Sequence, residues 1–498
     1  MDTILANASQ LNPVLLATDE DEYDGVARDV LQALKKIQMN DANKILEVLE
    51  QLDASTLTIP YFYLLHGLLE ILSPSNKPTS RSVHPALLPG GKAWAVITEG
   101  LLNFDPIQIR YVGHQLSRIV EVVYYGAEQS SNFVPAIQVL HSVILELDPT
   151  SSTLTVTHYY FVQACSYARA YVDAASILDR PIYHVPTSES MKPLEKRLAK
   201  NFCSAHESSL AYINPQSGLS GRITYRTYLE YYLLGALCYI GSSQWRKAKA
   251  FLEVVLATPT QQNAASMLMV EAYRRWVLLC LIIDGESQQP PRAISANVLR
   301  HVRTIAKPYE CIADAFKTNN YDTLTAEVQE GLDQWTNDAN YGLMSEVLRA
   351  FSKFSVVRLG KIFAALPIEE LARRVSPTPE NMPGFLAYIQ ELISTGDLKA
   401  EITSAEGDSL GTVRFLPPSA AQKPEPQIEQ ELAVKARELQ DLLRHVANYD
   451  HQLEVSKDYL DWLQKAKKAR DQEKKGNVPV KVPGLSTGDV DEDMMVDY

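Results

Sequence analysis

Ten histidines, five cysteines and a lysine behind two glycines are the residues with which this chain could do chemistry. Metal-assisted hydrolysis needs two imidazoles at a spacing such as HxH or HExxH, so that both reach one ion. No pair here has it. His66, His114, His141, His158, His206 and His301 fall singly within helical patterns, where a hydrogen-bonded structural imidazole is expected. Cys165, Cys203, Cys238, Cys280 and Cys311 are separated by 38, 35, 42 and 31 residues, which excludes a CxxC metal or redox pair. Leu88-Pro-Gly-Gly-Lys92 has the outline of a phosphate loop. However, Ala93 stands where Ser or Thr should follow the lysine, and no strand precedes it. A nucleophile elbow GxSxG is absent too. The expectation is a chain with no catalytic residue, no metal site and no cofactor.

Composition narrows the class further. Lys plus Arg number 47 against 60 Asp plus Glu, a formal charge of −13 that gains little from phosphate backbones. With 46% apolar residues the chain can build a large core. The scattered, odd set of thiols fits a reducing compartment. No basic-then-apolar leader opens the sequence, and the apolar run Trp276–Ile283 is far shorter than the ~20 residues of a membrane span. Cytoplasm and nucleus are the expected locations, with no membrane partner.

The elements that must carry any function are helices. Leu31, Leu34 and Ile37, then Ile45, Val48, Leu49 and Leu52, recur at helical spacing, as do Val134, Ile137, Leu140, Ile144 and Leu147. This continues from about residue 24 to 317, punctuated by Pro60, Pro106, Pro135, Pro149, Pro186 and Pro215. A solenoid of stacked helix pairs is the economical fold. Tyr231, Leu234, Gly235, Phe251 and Pro259 occupy tetratricopeptide positions, a degenerate match because Cys238, Lys247 and Val254 depart from it.

After residue 340 the pattern changes. Helical stretches at Val356–Ala365, Ile368–Val375 and Gly384–Ser394 precede two strands, Lys399–Ser404 and Gly411–Leu416, joined by the turn Ala405-Glu-Gly-Asp408. Three helices and a hairpin make a winged-helix order. Met382–Thr395, its third helix, holds no Lys or Arg, so it lacks a base-reading surface, and nucleic acid is an unlikely ligand. The wing strand, through Gly411, Val413 and Phe415, is read instead as an exposed edge for protein docking. Beyond a proline-marked linker, Leu432, Leu439, Val446, Leu453 and Leu460 fall at steps of seven, with Ile428, Leu442, Tyr449 and Leu463 on a second track. That is the seam of a helix made to pack on partner helices. A basic run, Lys465–Lys475, closes it, and the end of the sequence is acidic.

The expected domains are a flexible acidic N-terminus (1–23), N-terminal helical repeats (24–219), a second repeat block (220–340) and a winged helix (341–417). A linker (418–427), a bundle helix (428–475) and a disordered acidic tail (476–498) follow. The fold class is thus an all-α, TPR-like solenoid with a winged-helix subdomain and a long C-terminal helix.

Helical repeats ending in a winged helix resemble the PCI domain of the proteasome lid, the COP9 signalosome and a translation initiation factor. Within that group the ordered set Tyr228-Leu-Glu-Tyr-Tyr-Leu-Leu-Gly-Ala-Leu-Cys-Tyr239, Ala257-Thr-Pro259, Glu271-Ala-Tyr-Arg-Arg275, Asn319-Asn320, Asn340-Tyr-Gly-Leu343 and Leu371-Ala-Arg-Arg-Val375 resembles the signalosome subunit 3 family. Ile109-Arg-Tyr111 and Ile177-Leu-Asp179 fit more loosely. The likeness is best over residues 220–416, and the last eighty match in kind only. It implies a non-catalytic scaffold subunit of the complex that removes a ubiquitin-like modifier from cullins (protein deneddylation). Its partners would be other PCI-domain subunits and metalloprotease-type subunits, and indirectly neddylated cullin-RING ligases. The same architecture would also suit a scaffold of the proteasome lid or initiation factor.

Overall fold

A single amphipathic helix cannot bury its own apolar stripe, and in the computed structural model these helices bury theirs against one another. The structure describes residues 2–37, 41–72, 83–186, 202–204, 209–260, 265–375, 382–403, 411–416 and 425–454. The first helices are α1 (Asp2–Ala8), α2 (Pro13–Thr18), α3 (Glu20–Lys35), α4 (Ala42–Leu49), α5 (Thr58–Leu72) and α6 (Trp94–Leu102). Residues 2–23 are therefore not the flexible acidic arm expected. Ala8, Leu11 and Tyr23 are core residues, and Ile4, Leu5, Leu15 and Leu16 pack beside them. Their burial outweighs the acidic cluster, which has a local role: the Asp19 carboxylate accepts from the backbone N–H groups of Asp21 and Glu22, capping α3. Glu20, Asp21 and Glu22 then lie at the positive end of the helix dipole.

The stack continues through α7 (Gly113–Ser130), α8 (Val134–Leu147), α9 (Val156–Ala168), α10 (Tyr171–Leu178), α11 (Tyr225–Gly241), α12 (Trp245–Ala257) and α13 (Met267–Asp284). Next come α14 (Ala296–Ile305), α15 (Lys307–Lys317), α16 (Tyr321–Glu330), α17 (Leu332–Asn337) and α18 (Tyr341–Ile362). Five hairpins share one turn. Ser131, Arg169, Ser243, Asn319 and Ala339 all have φ between 53° and 58°, the left-handed region that ends a helix. Two residues later an aromatic stands at the start of the next helix, Phe133 as its N-cap and Tyr171, Trp245, Tyr321 and Tyr341 as its first residue. At four of these turns the intervening N–H closes a loop on the preceding helix, Asn132 on Ala127, Ala170 on Cys165, Gln244 on Tyr239 and Asn340 on Trp335, at 2.8–3.1 Å. The repeat thus extends past residue 317, to α18. The tetratricopeptide-like pair is α11 with α12: a Cβ on Gly235 would stand 2.8 Å from the Phe251 ring and 3.0 Å from Leu178, so only glycine lets these helices approach so closely.

The last turn is clamped. Arg274 in α13 meets Asp338 at 2.6 Å, Tyr309 in α15 donates to the same carboxylate at 2.8 Å, and Asn340 donates to the Tyr309 hydroxyl at 2.8 Å. From it springs α18, 22 residues or about 33 Å long. Leu343, Met344, Val347, Ala350 and Phe351 of α18 belong to the solenoid core, whereas Val356 belongs to a second, smaller core. One continuous helix replaces the separate Val356–Ala365 segment expected.

The second core is built by β1 (Ala365–Pro367), α19 (Ile368–Val375), α20 (Met382–Ser394), β2 (Ala400–Thr403) and β3 (Thr412–Phe415). The helices and hairpin of the winged-helix expectation are present, joined by a third strand that the sequence reading missed. The sheet is antiparallel, in the order β1-β3-β2. Its hairpin turn, 405–408, lies outside the described residues. The final described helix, α21 (Glu425–Glu454), belongs to a separate compact unit. It starts earlier than residue 428 because Pro426 falls in its first turn, where a missing N–H costs nothing.

The left-handed turns predict a stabilising substitution. A Cβ at positive φ costs roughly 1–2 kcal/mol, and glycine returns about 0.5–1 kcal/mol of that as unfolded-state entropy. Ala339→Gly should therefore stabilise the chain by about 0.5–1 kcal/mol in denaturant unfolding. A lower midpoint would refute the turn assignment.

Candidate interaction surfaces

Among the described residues no group of three His, Cys, Asp or Glu is placed to hold a metal ion. The most reactive-looking cluster is a buried knot at the α8–α9 connection. Asp148 accepts from the N–H groups of Thr150, Ser152 and Thr153 at 2.9–3.2 Å, and His158 lies 2.8 Å from the Ser151 hydroxyl. The knot is closed on itself: the Thr155 N–H donates to His158 Nδ1 at 3.2 Å and the Thr155 hydroxyl lies 2.8 Å from the same nitrogen, so both ring nitrogens are engaged within the α8–α9 connection. Complete burial pushes the His158 imidazole down to about 4, so it is neutral at physiological pH. Two buried thiols are equally quiet: burial pushes Cys238 up to about 12 and Cys280 up to about 11.

What the structure offers instead are edges and faces. Gly411, Val413 and Phe415, expected as an exposed wing edge, lie in or beside the middle strand. β3 pairs with β1 through Ala365–Arg414, Leu366–Val413 and Pro367–Thr412, and with β2 through Ala400–Phe415, Glu401–Arg414, Ile402–Val413 and Thr403–Thr412. Val413 is fully buried, and Phe415 packs on α18 where a Cβ on Gly360 would stand 2.7 Å from its ring. A hairpin without a third strand would leave β3 at an edge; β1 takes that place. The free edges are β1 and β2. A groove of about 460 Å³ runs beside β2, lined by Gln390, Ile393, Ser394 and the β2 residues.

Three cations near this subdomain are paired, Arg373 and Arg374 with Glu370 at 3.5 and 2.9 Å and Lys353 with Asp397 at 2.7 Å. They form no phosphate-tracking surface.

α21 carries the seam. Ile428, Leu432, Leu439, Leu442 and Val446 are each at least 43% exposed, along with Val434 and Leu443. Tyr449 and Leu453 lie on the same helix, their side chains outside the described residues, as are Leu460, Leu463, the basic run and the acidic end. No helix among the described residues is long and apolar enough to cross a membrane. An apolar groove of about 550 Å³ also opens between α11 and α12, floored by Ile223, Tyr225, Tyr228, Val254 and Pro259. Sequence reasoning missed it because its residues come from two helix ends and a loop.

Comparison with known proteins points to one family. The family described as "COP9 signalosome complex subunit 3, N-terminal helical repeats" matches residues 23–298. A protein of Emericella nidulans named COP9 signalosome complex subunit 3 is 28% identical over 478 residues, 95% of each chain. One of Neurospora crassa with the same name is 25% identical over 415 residues, 81% of this chain and 80% of that one.

The buried imidazole yields a pH prediction. An unfolded chain takes up the His158 proton near 6.5, whereas the folded chain refuses it until about 4. The stability held above pH 6.5 should therefore fall as pH drops through that window. His158→Asn should lower stability at pH 7 by roughly 1–3 kcal/mol and flatten the decline. An unchanged slope would show that His158 is not the group responsible.

Proposed function

The chain belongs to the COP9 signalosome subunit 3 family, and we propose that within the signalosome it is a non-catalytic scaffold. In this reading it supports removal of the ubiquitin-like modifier from cullin-RING ligases, in cytoplasm and nucleus. The solenoid and its winged-helix-like end dock neighbouring PCI-type subunits, and α21 enters a helical bundle with them. Metalloprotease chemistry is supplied by another subunit.

The observation that carries the reading is the bare seam of α21. A helix of 30 residues with large apolar side chains exposed along one track is poorly stable by itself in water. Partner helices supply the missing burial. Support also comes from the Ser151–His158 pair, which is buried and engaged with the Thr155 backbone and hydroxyl. A scaffold of the proteasome lid would share this architecture, but the family membership favours the signalosome.

Leu432→Asp combined with Leu439→Asp would bury two unpaired carboxylates in the bundle, at a cost of several kcal/mol each. Co-purification with the other signalosome subunits should fall at least tenfold, with the solenoid's thermal transition unchanged because both leucines are exposed in the isolated chain. Undiminished incorporation would rule out the bundle role of α21.

A further inference from the structure

Two recesses of the solenoid meet at Ile223. The first is the apolar groove of about 550 Å³, lined by Tyr225 and Tyr228 from the start of α11 and by Val254 and Ala257 from the end of α12. The second, about 370 Å³, continues from Ile223 past Arg222 to His114 at the start of α7. Charge divides them. No charged residue lines the first, and no carboxylate lines the second. Arg226, one turn further along α11, is paired with Glu230 at 2.7 Å. Arg222 is exposed and makes no ion pair among the described residues.

The lining is built in advance of any ligand. Gly218, at φ 80°, packs so closely on His114 that a Cβ would stand 2.5 Å from its Nδ1, and Ser117 donates to the Gly218 carbonyl at 2.6 Å. A Cβ on Gly221, at φ 65°, would meet Val156 at 2.8 Å, and the Val156 N–H donates to the Ser220 carbonyl at 3.0 Å. A site that need not reorganise loses little affinity to ordering. The two recesses ask for two chemistries in one ligand. Aliphatic side chains suit the tyrosine-lined groove, and a carboxylate beside them reaches the Arg222 guanidinium. The space admits only a few side chains, well short of the roughly 800 Å² per partner of a stable subunit contact. A short linear segment fits it and a folded neighbour does not. The chain that continues from this rim has the wrong sign: residues 187–201 hold Lys192, Lys196, Arg197 and Lys200 against Glu189 and Glu195.

We infer that this groove docks an extended segment of a transiently bound protein, in which two or three aliphatic residues adjoin an Asp or Glu. The aliphatic side chains lie against Tyr225 and Tyr228, and the carboxylate pairs with Arg222. The occupant is a protein brought to the scaffold and not one of its subunits.

Fluorescence anisotropy on the full chain tests it with three fluorescein-labelled peptides. One has two leucines flanked on each side by aspartates, the second has lysines for the aspartates, and the third has serines for the leucines. The first should bind about tenfold more tightly than either control. Arg222→Glu and Tyr225→Ala, both at exposed positions, should each weaken it about fivefold with the thermal transition unchanged. Bound peptide should slow hydrogen exchange over residues 223–228 and 254–258, and Arg222→Glu should enter the signalosome at the natural level. Equal binding of the three peptides, protection confined to other residues, or undiminished binding by Arg222→Glu would overturn the inference. Loss of signalosome incorporation by Arg222→Glu would overturn it as well, because the groove would then hold a subunit.

Discussion

One residue held at positive φ closes each of five helix hairpins, and the stacking of those helices depends on that constraint. The left-handed residue reverses the chain, the next N–H returns to the helix just ended, and an aromatic begins the helix that packs back upon it. Repetition of this turn from Ser131 to Ala339 converts isolated amphipathic stripes into one continuous core. Nothing in the device needs an open cleft or a polarised side chain. The polar groups it buries, such as Asp148, His158, Asp338 and Tyr309, hold backbone and one another in place.

The constraint also explains where function is left. Each internal helix has neighbours that cover most of its apolar stripe. α18 carries the solenoid across into a second core, closed by a three-stranded sheet. α21 presents its seam as a separate unit. A scaffold that holds several partners needs such surfaces.

Much of this was legible in the sequence. The helical periodicity, the glycine that Phe251 packs on and the third helix without cations correspond to what the structure displays. Two readings failed for physical reasons. The acidic N-terminus was taken as flexible because charge was weighed over Leu11, Leu15 and Leu16, which anchor it. The wing strand was placed at an edge because β1 is only three residues long and begins where a helical pattern ends; its pairing with β3 is decided by tertiary contact, not by local propensity. The recurring turn escaped notice because Ser, Arg, Asn and Ala fill a position where glycine is the usual marker.

The central claim is that these surfaces serve the signalosome. Native mass spectrometry of the complex purified through this chain tests it most directly. The account predicts one copy of the chain held with other PCI-type subunits and a metalloprotease-type subunit of the signalosome. Recovery with proteasomal or ribosomal particles, or as a free monomer, would contradict it.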